Sequence, residues 1–253
     1  MTIAKSVAAR RPVEVTEAEM RARIDLAALY RLAEHYGWAD LMYNHLAARV
    51  PGEPCFLIKA HAALFGEVRA SGLVKVRLDG RDRDQSINPA GFTIHSAVLN
   101  ARPEVNYTLH VHTRPGMAVS AIKTGLEMVS QEAMQFYNRV SYHDFEGVAT
   151  DLDEAARLAK DLGPTHRAMI LRNHGLLTCG ATPADALSKM RYLVEACEIQ
   201  LMLQATGKEL VVPPAAVCER AALQMETFQR LSDVDEWRAY LRIAHGIDPS
   251  FRH

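Results

Sequence analysis

The chain has 253 residues, 49% of them hydrophobic, enough for one large core or at most two small ones. Its 29 basic and 30 acidic residues leave a net charge of −1, so it lacks the electrostatic footprint of a nucleic-acid-binding domain. The four cysteines, Cys55, Cys179, Cys197 and Cys218, are scattered without a Cys-x-x-Cys pair, which argues against a disulfide framework and for a reducing compartment. No signal-peptide core follows Lys5, Arg10 and Arg11, and no run reaches the roughly 18 apolar residues of a membrane span. The expectation is a cytoplasmic protein.

In chain order, residues 1–15 read as a flexible arm, ended by Pro12 and the capping-box pattern Thr16-Glu17-Ala18-Glu19. A helix to about Tyr36 follows, with Met20, Ile24, Ala27, Ala28 and Leu32 on its inner face and Gly37 as its stop. Leu46 to Val50, Cys55 to Ile58 and Leu73 to Leu78 are short apolar runs broken at Pro51-Gly52 and Asp79-Gly80, as in a meander of strands. Phe92 to Ala101 suits a helix closed by Arg102-Pro103.

Tyr107-Thr108-Leu109-His110-Val111-His112-Thr113 reads as a buried strand, and residues two apart share a face, so His110 and His112 stand side by side. Pro115 opens a short helix. Met128 to Val148, with Glu132, Tyr137, Tyr142, His143 and Asp144, reads equally as an active-site lining, a solvated connection or a subunit contact. Asp151 to Leu162 is a short amphipathic helix. Ala168 to Thr178 is a second apolar strand interrupted by His174-Gly175, where the glycine permits a close backbone approach or a positive φ. Thr182-Pro183 caps a long helix to about Thr206, stopped by Gly207, and Ala215 to Ile243 gives one or two more. Met20, Met190, Met202 and Met225 read as core filling. Strands alternate loosely with helices and no linker divides them: a single α/β domain with a sheet that is not purely parallel. The expected organisation is an arm over residues 1–15, a domain over 16–210, and a helical extension over 211–253 packed on it.

Three neutral imidazoles, His110, His112 and His174, would offer a divalent metal a site with an open position. A His-x-His strand by itself reads more readily as two satisfied polar side chains than as metal ligands. Taken together, Tyr43-Asn44-His45-Leu46-Ala47-Ala48-Arg49-Val50, Asn88-Pro89-Ala90-Gly91-Phe92-Thr93-Ile94-His95-Ser96, His110-Val111-His112-Thr113, Tyr142-His143-Asp144-Phe145-Glu146-Gly147 and Arg172-Asn173-His174-Gly175 resemble the class II aldolase/adducin family over roughly residues 20–210. The resemblance implies an α/β/α sandwich with a mixed, largely antiparallel sheet. It also implies a homotetramer with active sites near subunit interfaces, and a divalent metal, zinc above all and otherwise manganese or iron, on His110, His112 and His174.

The departures from the family pattern bear on substrate. The sugar-phosphate aldolases carry a glutamate four residues before the histidine matching His95, and Gly91 stands there. Their phosphate-binding pairs fall on His61-Ala62 and Pro89-Ala90, leaving only Asn44, and proline offers no N–H to a phosphate. Their tyrosine proton donor, contributed across a subunit boundary, falls near Gln131-Glu132. Around Gly91 and Tyr142 the sequence is closer to the adducin branch and to bacterial relatives that include decarboxylases.

The expected activity is a metal-dependent carbon–carbon lyase, a decarboxylase or aldolase, acting on a small unphosphorylated hydroxy- or oxo-carboxylate, with the metal stabilising an enolate-like intermediate. His61, Glu132, Tyr137 and His143 are the candidates for acid–base work, and Asn44, His95 and Arg114 for substrate binding. Each has an ordinary structural alternative, such as a surface carboxylate for Glu132 or a salt bridge for Arg114. Two rival functions share this sequence pattern: an iron-dependent oxygenase on the same three histidines, and a non-catalytic adducin-like oligomeric binding module.

Overall fold

The computed structural model describes residues 15–81 and 85–253. The arm expected over residues 1–15 therefore lies, apart from Val15, outside the described residues. Helix α1 (Glu17–His35) starts where Thr16 accepts the Glu19 N–H, and Gly37 ends the segment at φ +73°. The meander follows as β1 (His45–Arg49), β2 (Cys55–Ile58) and β3 (Val74–Arg77); Gly52 at positive φ carries the β1–β2 turn, residues 59–73 link β2 to β3 through two short 3-10 turns, and Gly80 at positive φ ends the run after β3. Then come α2 (Pro89–Ala101), β4 (Tyr107–Val111), α3 (Arg114–Ser120), α4 (Gln131–Met134), β5 (Val140–His143), α5 (Leu152–Leu162), β6 (Ala168–Leu171), β7 (Gly175–Gly180), α6 (Pro183–Gln204) and α7 (Ala215–Ile247).

Seven strands form one sheet in the order β3-β2-β1-β4-β7-β6-β5. Every neighbouring pair is antiparallel except β5 with β6, which α5 joins as a parallel crossover. Alternation along the strands splits the core in two. Leu46, Ala48, Leu109, Val111, Ile170 and Leu176 pack with α1, α6 and the buried patches of α7. Ala47, Phe56, Ile58, Met169, Leu171 and Leu177 pack with α2 and α5. The result is the expected α/β/α sandwich with a mixed, largely antiparallel sheet.

Helix α7 is one 33-residue helix rather than two, and it buries only Cys218, Ala222, Tyr240 and Ala244. Its dock on the domain includes a half-buried polar tie: Asp25 of α1 accepts the Trp237 indole N–H at 3.0 Å and the Tyr107 hydroxyl at 3.3 Å. Three of the methionines depart from expectation. Met190 is fully buried, but Met20 is 38% and Met202 60% exposed and Met225 is half-buried, because each of these sits on the outer flank of its helix. The segment 128–148 is also more ordered than its composition suggests, since it contains both α4 and β5. No helix among the described residues is long and apolar enough to cross a membrane.

Leu109 is fully buried on the helix-rich face, pointing away from its neighbours Thr108 and His110. Leu109→Ala is expected to cost about 2–5 kcal/mol in urea unfolding while leaving metal content unchanged; a loss of metal in the folded variant would show that the two faces are not independent.

Candidate metal centre

Pairing β4 with β7 brings the two histidine segments together, with Val111 opposite Leu176 and His110 opposite Leu177. The strand stops at Val111, so His112 lies just past its end rather than on it. The turn between β6 and β7 then returns His174 to the same place. The positive φ sits on Asn173, at +54°, not on Gly175. Gly175 is needed for proximity instead: a Cβ there would meet the Val111 carbonyl oxygen at 2.7 Å and the His112 ring at 3.0 Å.

His110, His112 and His174 gather so that one nitrogen from each lies within 4.8 Å of the others. His112 Nε2 stands 2.9 Å from His110 Nε2 and 3.0 Å from His174 Nε2. The opposite edges of two rings are already engaged: His110 Nδ1 lies 3.1 Å from the Leu176 carbonyl oxygen, and His112 Nδ1 3.3 Å from Asp40 Oδ2. Both partners are acceptors, so each Nδ1 carries the proton and donates, and each Nε2 presents a lone pair. Lone pairs that face one another with no proton between them are stabilised by a cation, and the donor set therefore fits a divalent metal. Burial holds all three imidazoles below the usual histidine range, His174 at about 4, which keeps them neutral and able to ligate.

A second tier of imidazoles lies behind the first. His45 of β1 is opposite His110 in the register and packs on it, ring centroids 4.9 Å apart. Its Nδ1 is 2.9 Å from His95 Nε2, and His95 Nδ1 is 2.6 Å from the Thr108 hydroxyl. Burial drives His45 well below, and His95 to about 3, so both are neutral. His95, expected to touch substrate, is fully buried behind His45. Gly91 is packed against the same ring: a Cβ there would meet His45 Cδ2 at 3.0 Å. His45 thus fills the space beside the position where the aldolases carry their glutamate.

The remaining candidates separate by location. His143, 3% exposed at the end of β5, donates from Nδ1 to Asp161 Oδ2 at 2.7 Å, and its Nε2 has no hydrogen bond, with Glu154 Oε1 at 3.4 Å. Glu154 itself is buried, and that desolvation raises its pKa. A cleft of about 10 Å³, the size of one water, is lined by both His143 and His174. Arg114, two residues past His112, is exposed and makes no ion pair among the described residues. Asn44 is fully buried, donates to the Trp38 carbonyl at 2.6 Å, and leaves its Oδ1 without a partner. His61 flanks Tyr43 with ring centroids 5.9 Å apart, its Nδ1 buried and unpartnered. Glu132 and Tyr137 lie on α4 and the turn after it, against α6 and α7 in the other layer, where the chain does not bring them to its own histidines. Arg172, beside the turn to His174, stacks on Tyr142 at 4.2 Å and donates to the Ile122 carbonyl at 2.7 Å, which holds it in place as a structural clamp.

Asp40, His45, Thr108 and Asp161 were not singled out from the sequence. His45 and Thr108 carried one available signal, since both share strand parity with His110 once β1 is paired to β4; Asp40 and Asp161 carried none.

Three imidazoles thus converge beside the central strands of a mixed α/β/α sandwich. The model of the Class II Aldolase and Adducin N-terminal domain matches residues 24–201, and the chain belongs to that family. It is similar to a candidate class 2 aldolase protein of Pseudomonas aeruginosa, 42% identical over the full length of both chains. It is 44% identical to alpha-adducin of Rattus norvegicus over 73% of this chain, a match that spans only 26% of the adducin. Among solved structures, an aldolase II superfamily protein from Pseudomonas syringae superposes with a TM-score of 0.89 at 43% identity, covering 95% of this chain and 98% of that one.

Asp40→Asn weakens the acceptor that fixes the His112 tautomer, and metal affinity measured by competition with a chelator should fall about 10–100-fold. The buried imidazoles also set the acid limit of the metal-free protein. Unfolded, His45, His95 and His110 take up protons near pH 6.5, while folded they do so only at much lower pH. Stability should therefore fall as pH drops below about 6.5, by up to about 1.4 kcal/mol per pH unit for each imidazole. Melting temperatures that stay level from pH 7 to pH 5 would contradict this.

Proposed function

We propose that the chain is a metal-dependent carbon–carbon lyase acting on a small unphosphorylated hydroxy- or oxo-carboxylate. The observation that carries this reading is the convergence of three neutral imidazoles, two of which, His110 and His112, commit their Nδ1 protons to the Leu176 carbonyl and Asp40 and turn Nε2 to the shared point. His110, His112 and His174 would hold the metal, zinc being the first choice and manganese or iron the others. A divalent cation bound there supplies the positive charge that stabilises the anion left when a carbon–carbon bond breaks.

The chain's own residues supply the rest. Arg114, exposed and unpaired among the described residues beside His112, offers its planar fork to the substrate carboxylate. His143, oriented by Asp161, delivers or accepts a proton through the one-water cleft it shares with His174. Glu132 and Tyr137 reach a metal centre only across a subunit boundary, which fits a homotetramer with sites near its interfaces. The phosphate reading is disfavoured at the start of α2: Pro89 has no N–H, and Asn88 already caps the Ala90 N–H at 3.0 Å. Decarboxylation is favoured over aldol cleavage because cleavage must also take up the proton of a hydroxyl as the bond breaks, and Gly91 leaves no carboxylate at that position to share the proton transfers.

The likeness to alpha-adducin supports a second reading, a non-catalytic oligomeric binding module that kept the fold. Elemental analysis of protein purified without chelator, followed by turnover assays on hydroxy- and oxo-carboxylates, separates the two. About one transition metal per chain is expected, lost together with turnover in His110→Ala and His174→Ala; His143→Gln should retain metal and lose turnover about 10²–10⁴-fold. Protein that takes up no metal on titration supports the binding module, and oxygen uptake under ferrous loading would move the reading to an oxygenase.

A further inference from the structure

The residues that lead into β5 and β6, the start of α6 and the middle of α7 enclose a cavity of about 630 Å³. That lies within the roughly 300–1,000 Å³ of small-molecule pockets. It is not the metal centre. Arg139 and Arg167 stand just before the first residues of the parallel strands β5 and β6, whereas His143 and the turn to His174 stand at their far ends. Four residues of strand, about 13 Å, separate the two sites.

The charges in the cavity are unevenly paired. Arg139, Arg167, Lys189 and Arg230 line it together with Asp185, Glu226 and Asp233. Each carboxylate is already engaged. Asp185 pairs with Lys189, Glu226 pairs with Arg139 at 2.8 Å, and Asp233 accepts the Thr182 hydroxyl. Arg139 takes a further carboxylate, Glu219, at 2.8 Å. Arg167 and Arg230 make no ion pair among the described residues, and Arg167 Nη1 is shut off from solvent with no acceptor. Arg167 as a whole is half-buried, but a guanidinium is always charged, and a shielded N–H of it without an acceptor is costly. Burial and the nearby charge of Arg167 hold Lys189 down at about 8, so the two cations repel each other across this space. The amino end of the 22-residue α6 adds partial positive charge. Phe136 and Leu223 supply an apolar wall.

We propose that this cavity binds a small dianionic ligand, a phosphate monoester or a dicarboxylate, with its oxyanion group gripped by Arg167 and Arg230. An occupant here cannot touch the metal ligands, so it is a second ligand rather than the substrate.

The test is calorimetric titration of the metal-loaded protein with inorganic phosphate, glycerol 3-phosphate and succinate, each at constant ionic strength against chloride. Saturable binding of one ion per chain is expected for the phosphates or for succinate, and which of them binds identifies the carrier. Arg167→Gln and Arg230→Gln should each weaken it by about tenfold or more. Arg230 is exposed on α7, so its variant tests the idea even where Arg167→Gln fails to fold. Chelator-stripped protein should bind the anion unchanged. The proposal is overturned if none of the three ions saturates, if binding ignores both arginines, or if it disappears with the metal. Loss of the oligomer in Arg230→Gln, with no anion bound by the wild type, would instead mark a second copy's carboxylate as the occupant and overturn it too.

Discussion

The antiparallel pairing of β4 with β7 at the centre of the sheet is the constraint on which the site depends. Leu109 and Val111 anchor it from the helix-rich face, and the opposite parity turns Thr108 and His110 toward α2. The same pairing places the Leu176 carbonyl against His110 Nδ1 at 3.1 Å, which decides the tautomer and aims Nε2 at the other imidazoles. It also brings the Val111 carbonyl so near Gly175 that no side chain fits there. One set of backbone hydrogen bonds thus fixes the ring's position, its protonation and the closeness of the turn.

Such a site opposes folding unless something fills it. His45, His95 and His110 are buried neutral, where burial penalises the charged form, and the Nε2 atoms of His110 and His112 face each other as acceptors. A structure that concentrates five imidazoles in one place forgoes apolar packing there and leaves a cluster that only a cation or a proton can reconcile. Gly91 belongs to the same economy of space. By yielding to the His45 ring it leaves the inner side of the centre lined by imidazole, with no carboxylate at that position, and this neutral donor set leaves the full charge of a bound cation available to an anionic ligand.

The two ends of β5 and β6 carry different chemistry. At one end lie His143 with Asp161 and Glu154, beside His174. At the other, unpaired guanidinium charge borders a large cavity under α7. Helix α7 spans 33 residues but buries few of them, leaving Phe228, Leu231 and Val234 exposed. Its contacts with the domain run through Tyr240 and Ala244 in the core, the Asp25–Trp237 tie and the rim of that cavity.

Much of the fold was legible in the chain because its signals are local. Thr16, Asp151 and Thr182 each accept a backbone N–H at the start of a helix, and Gly37, Gly52, Gly80 and Gly207 sit at positive φ where segments end; the helix expected from Phe92 begins three residues earlier, at Pro89 under an Asn88 cap. The grouping of His110, His112 and His174 followed from strand parity and from motifs shared with a family. The flanks of α1 and α6 were less certain: Met20 and Met202 are as apolar as Met190, and only the placement of neighbouring helices decided which of them is buried. Tertiary structure alone joined Asp40 to His112, Asp161 to His143 and His95 to His45, because those pairs lie 72, 18 and 50 residues apart in sequence. It likewise placed Glu132 and Tyr137 in the other layer from the histidines, since a polar segment's composition does not say which elements it packs against. Local chemistry fixes caps, turns and parity within a dozen residues, whereas the partner of a polar side chain is set by sheet order and crossover, which no short stretch of sequence encodes.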